Sequence, residues 1–124
     1  MKWVLWLNTV AETVIAIGMF SFPASFFPGA TGLSAAIARA FSFAILAVAF
    51  ISFSVTRKGT SAETVKNAVV ILTFYHVFQL IAQFVNAAMY PPLLIPPVII
   101  HIILSTLFII YLVRLNNAGR ALGG

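Results

Sequence analysis

Cysteine is absent from the 124 residues, which rules out disulfides, thiolate metal sites, iron–sulfur clusters and cysteine nucleophiles. Aspartate is absent too, and the two acids are Glu12 and Glu63, so no Ser-His-Asp set can be assembled. No glycine-rich loop of the phosphate-cradling kind occurs. Charge of either sign is scarce, at 7% of residues against about a quarter in an ordinary soluble domain.

What remains is apolar: 62% of the residues are hydrophobic and the mean hydropathy is +1.10. Runs of about 20 apolar residues read as membrane spans before they read as core. The sequence predicts an all-α, polytopic membrane protein, a single four-helix transmembrane bundle over residues 1–124, with spans near 3–22, 34–55, 64–89 and 97–114 and a flexible tail from 115 to 124. Met1-Lys2-Trp3 opens like a secretory signal, but Glu12 interrupts its apolar stretch and no small-x-small cleavage site follows, so the segment is expected to be a retained first helix.

The breaks fall where helices cannot continue. Phe22-Pro23-Ala24-Ser25-Phe26-Phe27-Pro28-Gly29 ends the first span in a short re-entrant or interfacial loop. Ser34 is the expected N-cap of the second helix, which Arg57-Lys58-Gly59 closes. Thr60-Ser61-Ala62-Glu63 reads as a capping box for the third, and Tyr90-Pro91-Pro92 ends it. Ala36, Ala40 and Ala44 recur every fourth residue, the spacing that lets helix backbones approach in lipid.

A net charge of +5 raises nucleic acid as a partner only until the basic residues are located. Lys2, Arg57, Lys58, Lys66, Arg114 and Arg120 flank the spans on the side of the termini and the middle loop, and the other two loops carry none. The positive-inside bias therefore puts both termini in the cytoplasm and excludes nucleic acid as the reason for the basicity. Trp3, Trp6 and Tyr111 on that side, and Phe26, Phe27 and Tyr90 on the other, suit interfacial anchoring.

The polar residues within the spans are the candidate site. Glu12 sits mid-span, where a lone carboxylate is costly, so it should be protonated, paired or facing a wet cavity. Counted from the outer helix ends, Glu12 is roughly 15 Å deep and Arg39 roughly 9 Å, a gap an arginine side chain can bridge. An ion pair between them is feasible, either to fasten the helices or to make Glu12 a proton or cation site. Asn8 precedes Glu12 by one turn on the same face.

On the third helix His76, Gln79, Gln83, Asn86 and Tyr90 follow at offsets of a single helical face. Facing lipid such a stripe is expensive, so it should face the interior or another subunit, as interhelical hydrogen-bond glue or as a hydrated ligand pocket. His101 counts to about 6 Å from the outer end and His76 to nearly 20 Å. On that count they do not face each other, which argues against a bis-histidine haem and leaves no metal site. Ser105, one turn after His101, is its expected local partner.

Ala11-Glu12 with Gly18 and Pro23, Arg39 early in the second helix and Tyr75-His76 in the third resemble the small bacterial four-helix membrane proteins grouped as DoxX-like. The resemblance implies a four-helix bundle that in some members is an accessory subunit of a quinol-oxidising or other membrane complex. Helix number, chain length and a glutamate in the first helix are also similar to the small multidrug resistance transporters. Against that likeness stand the strong charge asymmetry and an arginine that would compete with a cationic drug for Glu12.

These readings converge on an inner-membrane binding or accessory module. It holds a lipophilic, quinone-like ligand or a partner subunit against Glu12, Arg39, His76, Gln79 and Gln83, with Asn8, Asn86 and His101 extending the polar patch. The alternative is a small proton-coupled transporter or ion pathway that titrates Glu12. The motifs identify no cofactor, and they leave open whether the protein forms a homo-oligomer.

Overall fold

The computed structural model describes residues 1–85 and 95–122. Among them there is no strand, and the elements run α1 (Lys2–Ser21), α2 (Pro23–Phe26), α3 (Gly32–Ser54), α4 (Ala62–Val85) and α5 (Ile95–Leu122). Helices α1, α3, α4 and the Pro96–Ala118 portion of α5 are each long and apolar enough to cross a membrane. The protein is therefore a multi-pass, all-helical membrane protein. It divides into two compact units, Lys2–Arg57 and the segment from Lys58 onward.

In the first unit α1 and α3 run antiparallel. Trp6 packs edge-on against Phe53 near one end, and Phe20 packs edge-on against Phe43 near the other. Pro23 opens the single turn of α2 from its first position, where its missing N–H costs nothing. Phe26 and Phe27 then fold back onto a core of Ala16, Met19, Ala38 and Ile45.

The small-residue seam of α3 is rotated from the expected one. Ala35, Ala38, Ser42, Ile45, Ala49 and Ser52 are buried, whereas Ala36, Ala40 and Ala44 are exposed. The buried set alternates steps of three and four, a coiled-coil repeat. That repeat keeps a straight seam along an antiparallel partner, which a strict step of four does not do over six turns.

Two caps are shifted from their expected places. Helix α3 starts after Thr31, so Ser34 is its third helical residue rather than its N-cap, and its Oγ accepts the Thr31 N–H at 3.1 Å. Helix α4 is capped by Ser61, whose Oγ accepts the Thr64 N–H at 3.1 Å, instead of by the Thr60/Glu63 pair. In both, two hydroxyl residues three apart make the cap, because several registers of Ser, Thr and Glu satisfy the same geometry.

In the second unit α4 and α5 pack against each other. Val65, Ala68, Val69, Leu72 and His76 make the buried face of α4, and His101, Leu104, Ser105, Phe108 and Tyr111 are buried on α5. Tyr111 is thus a packed residue at 6% exposure, not an interfacial anchor, while Trp3 and Trp6 are exposed as anchors should be. Helix α5 starts at Ile95 with Pro96 and Pro97 in its first turn and continues past Arg114 to Leu122. The tail expected to be flexible from 115 is helical as far as Leu122. The expected end of the third helix near Met89 and its Tyr90-Pro91-Pro92 stop lie outside the described residues.

Candidate functional site

The polar residues of the first unit form a seam. Asn8, Glu12, Ser42 and Ser52 are fully buried, and Asn8 Nδ2 donates to Ser52 Oγ at 2.6 Å, joining α1 to α3. Thr9 Oγ1 donates to the Leu5 carbonyl in its own helix at 2.8 Å. Glu12 lies one turn beyond Asn8 on the same buried face, as the spacing implied.

The Glu12–Arg39 ion pair is not made among the described residues. Arg39 is exposed, and its Nε donates to the Phe20 carbonyl at 3.3 Å. Depth counting allowed the pair, but rotation decides against it: Arg39 follows the buried Ala38 by one residue, about 100° around the helix. Its actual partner has its own logic. Helix α1 ends at Ser21, so the Phe20 carbonyl is one of the last carbonyls with no intrahelical donor. A guanidinium there satisfies it and meets the negative end of the helix dipole.

The second unit holds the feature that depth counting missed. His76 and His101 are both buried, with Nδ1 atoms 2.8 Å apart. Their rings do face each other. Rise counted from inferred helix ends set them at different depths, but the contact brings the two rings together.

Ring centroids 5.1 Å apart refine this contact. An imidazole nitrogen lies about 1.1 Å from its ring centre, so both nitrogens fall on the line between the centres and the contact is head-on. One ring must donate from Nδ1–H and the other accept, so the pair shares one proton and each ring fixes the tautomer of the other. Phe108 stacks on His76 at 5.5 Å and 16°, and Tyr75 sets its edge against both imidazoles.

The other predicted residues divide. Gln79 is half-buried on the His76 face. Gln83 is half-buried with its Oε1 enclosed and without a hydrogen-bond partner among the described residues. Ser105 is buried one turn beyond His101, but it is not the expected local partner, since its Oγ has no hydrogen-bond partner among the described residues. Asn86 lies outside the described residues. Sequence reasoning missed Ser52, Phe108 and the His76–His101 contact. Phe108 carries a signal in hindsight, since it lies seven residues, two helical turns, beyond His101.

Fold and site together define a multi-pass helical membrane protein with a buried asparagine–serine clasp in one helix pair and a proton-sharing histidine pair in the other. No family model, curated protein or solved structure matches the chain.

Proposed function

We propose that the protein is a non-catalytic membrane module that holds a lipophilic, quinone-like ligand beside the His76–His101 pair. The observation that carries this reading is the buried Ser105 hydroxyl, which has no hydrogen-bond partner among the described residues. It sits one turn from His101, about 5–6 Å away between Cβ atoms. A buried polar group left without a partner costs about 1–3 kcal/mol, and a ligand carbonyl or hydroxyl that bonds to it removes that cost. Gln83 Oε1, on the same helix as His76, is a second such group. The apolar surroundings then select a ligand that is mostly hydrocarbon.

The charge asymmetry supports insertion in a bacterial inner membrane with both termini cytoplasmic. The DoxX-like resemblance supports an accessory role beside a larger membrane complex, with a partner subunit covering part of the lipid-facing surface. The experiment is lipid-preserving extraction followed by mass determination. Wild type is expected to carry one small apolar molecule that Ser105→Ala loses in part and His101→Gln loses entirely. Wild type without any bound molecule overturns the reading.

A second reading, proton transfer, is favoured by the shared proton itself, because a head-on imidazole pair accepts one further proton without breaking its hydrogen bond. It predicts proton flux in vesicles that falls in His76→Gln and in His101→Gln. Undiminished flux in both removes it.

A further inference from the structure

We propose that His76 and His101 also form a linear, two-coordinate site for copper(I). The inference does not rest on the ligand reading above, because the ion takes the two Nδ1 atoms and not the Ser105 hydroxyl.

The argument is geometric. Metal–nitrogen bonds of about 2.0–2.1 Å set two ligand nitrogens about 2.9 Å apart at a right angle, 3.4 Å at a tetrahedral angle and 4 Å in line. The observed 2.8 Å matches the right-angled case in distance alone. In that case the ring axes would converge on the metal and bring the ring centres to about 4.4 Å. The centres are 5.1 Å apart and the axes coincide, so the two Nδ1 atoms are aimed for linear coordination. Reaching it takes a separation of about 1 Å along an axis already shared.

Linear coordination by two nitrogens suits a monovalent ion of closed d shell. Zinc demands four ligands in a structural site and three plus water in a catalytic one. Imidazole is an accepted copper ligand. A single positive charge is also less expensive to hold among apolar helices than a double one. Phe108, stacked on His76, restrains the ring from turning off the axis.

The exchange balances without redox chemistry. Two neutral imidazoles carry two protons, one of them on the bridging Nδ1. When copper(I) enters, that proton moves to Nε2 of the same ring. Both Nδ1 lone pairs then bind the ion, no proton leaves the pair, and the site gains one positive charge.

The test is anaerobic titration of the full-length protein in lipid nanodiscs with copper(I) against a colorimetric chelator, followed by X-ray absorption on the wild-type complex. The expected result is one copper(I) per chain with two nitrogen ligands. Retention should be at least about 100-fold weaker in His101→Gln, beyond the 10–100-fold that loss of an outer-sphere partner causes. Ser105→Ala should retain copper as wild type does. No copper(I) held by wild type, three or more ligands in the absorption spectrum, or zinc held in preference to copper(I) each overturns the proposal. The absorption measurement needs no variant, so misfolding of His101→Gln leaves it decisive.

Discussion

A buried histidine in a membrane helix draws its meaning from the atom opposite it. His76 and His101 oppose each other nitrogen to nitrogen, so their tautomers are complementary by necessity, and nitrogen-15 resonances should show one Nδ1–H and one Nε2–H ring in the neutral pair. Two rings both protonated at Nε2 would mean that the bridging hydrogen bond is not made. The Asn8–Ser52 contact is another buried side-chain bond between helices. Its worth in lipid should be modest: a double-mutant cycle of Asn8→Leu and Ser52→Ala is expected to give a coupling of about 0.6 kcal/mol, and no more than about 1.7. A coupling of zero by steric-trapping unfolding would contradict the contact. Glu12 and Asn8 were legible as one buried face from their spacing. The Asn8 partner was not, because Ser52 lies 44 residues away and a serine in an apolar span announces nothing by itself.

Helices were the most legible level. Their number follows from apolar runs broken by Pro, Gly and charge, whereas α5 runs on to Leu122, beyond the expected end at 114. Rotation about the helix axis was harder to read. One residue of rotation moves Arg39 from a partner for Glu12 to a cap on the α1 C-terminus, and moves the α3 seam from Ala36/Ala40/Ala44 to Ala35/Ala38/Ser42. The capping role predicts that Arg39→Gln costs about 0.3–1 kcal/mol of helix stability and leaves ligand content unchanged. Loss of the ligand in Arg39→Gln would return Arg39 to the site. Gly18 gives a packing test within the same pair. A Cβ there would stand 3.1 Å from the Phe26 ring, so Gly18→Leu should destabilise by about 1–3 kcal/mol through overpacking. Gly18→Ala should change little, because its gain in helix propensity of about 1 kcal/mol offsets the displaced ring.

At the scale of the whole molecule the lack of cysteine becomes an experimental advantage. Single cysteines at Pro28 and Asn117 report sidedness without background. The positive-inside bias predicts that Asn117→Cys is labelled from the cytoplasm and Pro28→Cys from outside. Labelling of both from one side would overturn the topology. Composition placed the protein in lipid, and charge predicts its orientation. Function was much less legible, because the centre of the candidate site joins His76 and His101, 25 residues apart, and rise along a helix does not say which side chains meet. The central claim is that this histidine pair is a binding centre and not only a fastening between helices. Its most direct test is native mass determination of wild type and His101→Gln from the same membranes, with helix content checked by circular dichroism. A stoichiometric small molecule on wild type, absent from an equally helical variant, is the predicted result; an identical bare mass for both contradicts the account.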